Sequence, residues 1–233
     1  EDKFFTIAIQ RYEYANVYWT IMDIYDTFLT MKFFNLHPSR TKVLWIDAKP
    51  ASAVDSLWTP LFGSVERLSQ QANKTIFKHL TWGFFRGKSP MLSETATLPL
   101  MKEFRHFVLS RFGLTEQHTR DCSSLGVLFI WRRNYVAHPR NPSGIIARKI
   151  SNENEILTAS INAFPNWKIK GVQLDRYEIR EQLELLCKAD IIIGMHGAAF
   201  SFSFVLPPGS GVIEMYPKIK NQGRNWHLSL IHI

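Results

Sequence analysis

The chain has 233 residues, 45% of them hydrophobic and 21% charged, with a formal charge of +8. This balance excludes a disordered or low-complexity protein and allows one large domain or two small ones. A pI of 9.5 permits a nucleic-acid partner, but no run of five basic residues and no zinc or RRM signature accompanies it; the reading is a diffusely basic surface and no nucleic acid.

No apolar stretch approaches the roughly 18 residues that a spanning helix needs. The first residue is Glu1 and not Met, and the expectation is a piece of a longer chain. Cys122 and Cys187 are too few for a disulfide framework and lack metal-ligand spacing, so both read as buried thiols.

Phe4 to Ile9 has strand character, and from Val17 to Phe34 the apolar residues Ile21, Ile24, Tyr25, Phe28 and Leu29 recur at helical spacing. Asp23 and Asp26, three apart, share one side of that helix; taken alone they read as solvated carboxylates on an outer face. Pro38-Ser39-Arg40 breaks the helix, and Val43 to Asp47 is a short buried strand, the grammar of a parallel α/β layer. Ala53 to Leu61 is a helix candidate, with Trp58 in the core. Asn73-Lys74-Thr75 is an acceptor sequon for N-glycosylation on Asn73. Ile76 to Leu80 reads as a strand and residues 81–93 as a loop, where His79 and Arg86 sit in no motif. Leu98 to Phe112 is a helix ended by Gly113.

Residues 115–125 are polar, and the periodicity resets at Gly126, dividing the chain into domains 1–125 and 126–233. Val127 to Trp131 is a buried strand followed by Arg132-Arg133. A Pro, Asn and Gly-rich stretch, 134–144, precedes a helix near Asn152, where Asn152 and Glu155 fit a capping box. Lys168 to Leu174 is a second strand, Glu178 to Cys187 a second helix, and the apolar run after Asp190 a third strand. This β-α-β-α-β order is half of a doubly wound nucleotide-binding sheet, whose ligands sit at the carboxyl ends of the strands. The turn Met195-His196-Gly197-Ala198 lies there, and a small-residue turn opening a helix directs backbone N–H groups at an anion.

Three stretches resemble one family. GMHGAAFSFSFVLPPGSGVIEMYP is similar to the signature of glycosyltransferase family 61, which runs close to MHGAGLT, then FLP, then a strand ending in Glu-Leu. FIWRR and ARKISNENEI resemble its strand-plus-Arg and RKILN-x-NEL elements. RYEYANVYWTIMDIYDTFL resembles the RYEYANLFHT-x-x-DWY segment of its plant-type β-1,2-xylosyltransferases.

The resemblance implies an α/β fold of the GT-B type, two Rossmann-like domains facing a cleft, with the acceptor on the N-terminal side and the donor on the C-terminal side. It implies an inverting transfer from a UDP-sugar, UDP-xylose first and UDP-GlcNAc second, to a glycoprotein glycan. Asp23 becomes the candidate base, with Glu13 behind it. Arg132 and Arg148 take the two arginine positions, where guanidinium meets diphosphate oxygens in a two-pronged geometry. His196, Gly197 and Ala198 hold the diphosphate or sugar, and Glu214 accepts from ribose hydroxyls. No Asp-x-Asp sequence occurs, and the expectation is metal-independent chemistry in the Golgi or endoplasmic reticulum lumen, anchored through a segment outside this chain.

Departures are specific. Ala199-Phe200 stands where the family has a second Gly and Leu, Phe202 where it often has His, and Tyr18-Trp19 where the subgroup has Phe-His. Three alternatives stay open: an O-linked N-acetylglucosaminyltransferase acting on protein hydroxyls or O-mannose, a non-catalytic nucleotide-sugar-binding relative, and a basic nucleic-acid binder.

Overall fold

A computed structural model describes residues 4–72, 74–84, 88–93, 97–115, 120–136, 141–216 and 229–232. The chain divides into two compact units, Glu1–Leu114 and Thr115–Ile233. Asn73 and Arg86 lie outside the described residues. Among those described, no helix is long and apolar enough to cross a membrane.

The first unit contains β1 (Phe5–Ile9), α1 (Val17–Phe33), β2 (Thr41–Trp45), β3 (Ser64–Arg67), β4 (Leu80–Trp82) and α2 (Met101–Arg111). Its four strands are all parallel, in the order β3-β2-β1-β4. The inner strands read as apolar runs because both of their faces are covered: Ile7, Ala8, Val43 and Leu44 are buried. The helical stripe predicted on α1 is its buried face, with Tyr25 and Phe28 against Phe104 of α2 at ring-centroid distances of 5.1 and 5.3 Å.

Three local expectations need correction. The strand placed at 76–80 forms instead at Leu80–Trp82, and Ile76 is 89% exposed; apolar content alone does not make a strand without a partner. The helix expected over 53–61 is a single 3₁₀ segment, Ala53–Leu57. Asp23 and Asp26 are not on an outer face: Asp26 is buried and Asp23 largely desolvated.

The second unit contains β5 (Gly126–Ile130), α3 (Glu153–Ala163), β6 (Lys168–Val172), α4 (Ile179–Leu186), β7 (Ile191–Met195), β8 (Gly211–Met215) and β9 (Ser229–His232). The order is β6-β5-β7-β8-β9, with the first four strands parallel and β9 antiparallel to β8. Val127, Phe129 and Trp131 face Ile156 and Leu157 of α3 across one side of the sheet. Leu183 and Leu186 of α4 are fully buried, and side chains of this size contribute roughly 1.5–3 kcal/mol each on full burial.

The polar stretch after Thr115 goes with this unit. Arg120 bonds Asp190 at 3.1 Å and the Pro208 carbonyl at 3.1 Å, while the other Asp190 oxygen accepts from Gly126 N–H at 2.8 Å. One buried carboxylate thus fastens the amino ends of β5 and β7. Asn152 is the N-cap of α3, but its side chain makes no cap bond and donates to Glu155 at 3.3 Å. Cys187 is buried and Cys122 is exposed, against the expectation of two buried thiols. Phe202 is 2% exposed; this departure from the family pattern fills the core.

Each sheet reverses direction once. In the first unit the chain runs β1 to β2 to β3 outward on one side and returns with β4 on the other side of β1. In the second it runs β5 to β6, then crosses to β7. Crevices at such switch points, outside the carboxyl ends of the strands, are where open parallel sheets bind ligands.

Candidate active site

In the first unit the segment Arg11 to Asn16 leaves the carboxyl end of β1. Arg11 is only 2% exposed; its guanidinium grips Asp47 at 2.7 and 3.1 Å, reaches Asp55 at 3.1 Å and lies 4.1 Å from the Trp45 ring centre. This buried network holds the Asp47 carboxyl below its usual range, the guanidinium and two backbone N–H bonds outweighing the cost of burial, which is the largest single influence. Lys49 donates to the carbonyls of Arg11 and Tyr12, the second at 2.8 Å, and Ser52 donates to the Tyr14 carbonyl. Asn16 caps α1 by accepting from Tyr18 N–H at 3.0 Å.

These restraints place Asp23, in the second turn of α1, against the loop. Its carboxylate accepts from Tyr12 N–H at 2.8 Å. Burial pushes its pKa up to about 8, the Tyr12 bond opposing and Asp26 reinforcing the shift. A carboxylate tuned to that range is suited to take a proton near neutral pH. Asp26 is raised to about 7, again by burial, although Ser89 Oγ donates to it at 2.8 Å. Glu13 is buried and accepts from Tyr14 N–H at 2.7 Å. Asp23 and Glu13 both act on the Lys49 ammonium, so the structure brings the two candidate carboxylates around one cation. Tyr12 stacks on Trp19 at 3.9 Å, placing an aromatic pair beside them. Lys49, Ser52 and Arg11 were not singled out from the sequence; an Arg directly after a strand was the available signal.

In the second unit Arg132 follows β5 and Gly197 follows β7, the two strands that flank the switch point. Arg132 Nη1 donates to the His196 carbonyl at 3.2 Å, and its buried Nε has no hydrogen-bond partner. The guanidinium lies across the Gly197 Cα so closely that a Cβ there would sit 1.6 Å from Nη1. With φ 175° Gly197 is in extended backbone, so glycine is required here for space and not for its dihedral freedom. Among the described residues Arg132 has no carboxylate partner, whereas Arg133 is held by Glu153 at 2.6 Å. Burial lowers the Arg132 pKa, and a second guanidinium, Arg148, lowers it further. Two arginines within electrostatic reach of one another, one with an orphaned buried N–H, mark a place for an anion.

Gly197 is also the N-cap of a 3₁₀ helix, Ala198–Val205. The helix expected after the turn is therefore of the tighter kind, with Phe202 and Val205 buried at three-residue spacing. Ala198 is its first residue, and the first-turn N–H groups lack partners within the helix. His196 Nδ1 is 2.7 Å from Glu214 Oε1, Tyr216 donates to Glu214 Oε2 at 2.8 Å, and the His196 and Tyr216 rings stack at 4.6 Å. Glu214 is buried, and both of its oxygens serve protein partners. Tyr216 was missed in the sequence, although strand period two puts it on the face of Glu214 and the pairing of Met195 with Met215 sets it opposite His196. Among the described residues no group of three His, Cys, Asp or Glu is placed to hold a metal ion.

The family model "Glycosyltransferase 61" matches residues 41–213, a span that includes Arg132, Arg148, His196, Gly197 and Ala198. A β-1,2-xylosyltransferase of Oryza sativa subsp. japonica is 27% identical over 253 aligned positions, covering 97% of this chain and 46% of the relative. A β-1,2-xylosyltransferase of Arabidopsis thaliana is 22% identical, covering 90% of this chain and 46% of its own. An EGF domain-specific O-linked N-acetylglucosamine transferase of Gallus gallus is 23% identical, over 87% of this chain and 38% of its own. The chain spans about half the length of the xylosyltransferases it matches. With nearly three quarters of its residues under the family model, and two parallel sheets whose switch points carry the arginines and the His-Gly turn, the chain belongs to glycosyltransferase family 61.

Proposed function

We propose that this chain carries the donor and acceptor machinery of an inverting glycosyltransferase of the GT-B arrangement, moving a sugar from a UDP-sugar, UDP-xylose first, to a glycoprotein glycan. The observation that carries the reading is Arg132 lying across Gly197 at the β5/β7 switch point with its Nε unpartnered.

In this reading the acceptor hydroxyl oxygen attacks the anomeric carbon from the face opposite the diphosphate while Asp23 takes its proton. The bond from that carbon to the diphosphate oxygen breaks, and its electron pair leaves with the diphosphate. A single displacement inverts the anomeric configuration. Arg132, Arg148 and the amides at Ala198 meet the charge that develops on the leaving group, stabilisation that depends on donors fixed in advance. His196, held through Nδ1 by Glu214, has Nε2 for the diphosphate or sugar. Asp26, Lys49 and Arg11 set the field around Asp23, and Glu13 acts on Lys49. This scheme assigns no step to a metal. The likeness to relatives named as a β-1,2-xylosyltransferase and an EGF domain-specific O-linked N-acetylglucosamine transferase supports a lumenal, secretory-pathway setting.

The test uses the full-length protein: calorimetric titration with UDP, UDP-xylose and UDP-GlcNAc, then UDP release with an N-glycan glycoprotein acceptor. Selective UDP-xylose binding, with release reduced about 10²–10⁴-fold in Asp23→Asn, supports the reading. Preference for UDP-GlcNAc and transfer to protein hydroxyls would replace the xylosyl assignment with the O-linked N-acetylglucosaminyl one. Binding with no turnover on any acceptor would make the protein a nucleotide-sugar-binding relative.

A further inference from the structure

The donor reading leaves room for a second reader of the nucleoside, because Glu214 is 7% exposed and holds His196 and Tyr216, one through each oxygen. A second set of polar groups stands on the other side of Arg132. β5 and β6 pair in register up to Ile130 and Val172, and Trp131 N–H extends the ladder by donating to the Val172 carbonyl at 2.7 Å. Gln173 therefore leaves the sheet beside Trp131, one residue before the register position of Arg132 at the carboxyl edge. Gln173 is 7% exposed, and its Nε2 donates to Asp175 Oδ2 at 2.9 Å. A buried amide thus fixes an exposed carboxylate, and each carboxylate oxygen can accept two hydrogen bonds, so capacity remains for hydroxyl donors.

Tyr135 reaches the same edge from the β5 side. Its N–H donates to the Gly144 carbonyl at 2.9 Å, tying the two residues together. Gly144 has φ +66°, and a Cβ there would lie 3.0 Å from the Tyr135 carbonyl carbon, so glycine lets the loop approach. Burial pushes the Tyr135 pKa up; Asp175 adds to the shift and Arg132 opposes it, which puts both charged groups within electrostatic reach of Tyr135. An acid after the second strand of a strand-helix-strand unit is also where such sheets contact ribose hydroxyls.

We propose that Gln173, Asp175 and Tyr135 form the nucleoside-reading part of the donor site, the Asp175 carboxylate accepting from ribose hydroxyls and the Tyr135 ring lying against the base. The proposal rests on the donor reading above and extends it from the diphosphate between β5 and β7 to the nucleoside beside β6. Gln173 is a positioning residue, acting through Asp175.

The test is calorimetric titration of the full-length protein and its Asp175→Ala and Asp175→Asn variants with UDP and 2′-deoxy-UDP. The wild type should prefer UDP about tenfold, since losing a hydroxyl that bonds a charged acceptor costs roughly 1.4 kcal/mol or more. Both variants should bind UDP about tenfold more weakly and show a ribo-to-deoxy ratio near one. Tyr135→Ala should weaken both nucleotides together and leave the ratio intact. A wild-type ratio near one, or a ratio that survives in both Asp175 variants, overturns this assignment while the diphosphate site stands. A wild type that binds no UDP overturns the donor reading, and this assignment with it. Because Asp175 is exposed, both variants are expected to keep the native circular dichroism spectrum, and the ratio is internal to each protein.

Discussion

Gly197→Ala separates a binding role from a structural one. The added Cβ would stand 1.6 Å from Arg132 Nη1 and 2.8 Å from its Cζ, so the guanidinium has to leave its place on the His196 carbonyl. What moves is the far end of a flexible side chain, and the extended backbone at Gly197 accepts alanine without strain. The stability change is therefore expected to stay within about 1 kcal/mol, a shift of about 2–4 °C in Tm for a protein of this size. The binding change is larger. A hydrogen bond to a charged group contributes about 1.5–3 kcal/mol, so a displaced Arg132 should weaken UDP binding by about 10–100-fold. A double-mutant cycle decides the cause: in an Arg132→Ala background, Gly197→Ala should add almost nothing. Calorimetric titration of UDP against wild type, both single variants and the double variant measures this. Losses that simply add would show that Gly197 acts through its own backbone, and the argument from the guanidinium would be wrong.

Other expectations follow from the first unit and from the His196 cluster. Asp23 has a folded pKa of about 8, well above its ordinary value of 3.8. The folded state therefore holds a proton that the unfolded chain releases, and stability falls as pH rises between about 4 and 8. Asp23→Asn should flatten that slope in urea titrations across pH while keeping the Tyr12 contact through its amide oxygen; an unchanged slope would refute the burial argument. Turnover should rise with pH until Asp23 is ionised, with a limb near 8 in the rate profile, and a profile flat from pH 6 to 9 would remove Asp23 as the base. Arg11→Ala leaves Asp47 buried without its partner and should cost about 3–5 kcal/mol in chemical denaturation; a loss below 1 kcal/mol would show that the network is not what holds the loop. Tyr216→Phe removes one hydrogen bond from the Glu214 carboxylate, of about 1.5–3 kcal/mol. It should lower kcat about 2–10-fold with UDP affinity unchanged, and an equal loss in UDP affinity would place Tyr216 at the nucleotide itself.

The inner strands could be read from the sequence because burial on both faces writes itself as a continuous apolar run: Ile7 to Ile9, Val43 to Trp45, Val127 to Ile130, Ile191 to Ile193. The edges could not. β3, Ser64 to Arg67, carries no such run, since a strand paired on one side and half exposed has no need of one. β4 begins where the predicted strand ended, because its place is set by pairing with Thr6 to Ala8 and not by the apolarity of Ile76. The candidate site divides in the same way. His196 and Gly197 stand in a motif whose small residues have a local reason, and the structure supplies that reason in the Arg132 side chain, 65 positions earlier in the chain. Lys49, Tyr216 and Asp175 owe their placement to register and topology, which no local pattern states. Phe202 shows the converse: a departure that looked like the loss of a polar contact is a core side chain.

The most direct measurement of the central claim is a crystal structure of the full-length protein with UDP. The account predicts the diphosphate between the carboxyl ends of β5 and β7, with Arg132 kept on the His196 carbonyl through Nη1, its Nε donating to a phosphate oxygen, and the Ala198 amide facing the same group. UDP bound elsewhere, with Arg132 Nε still unpartnered, would contradict it.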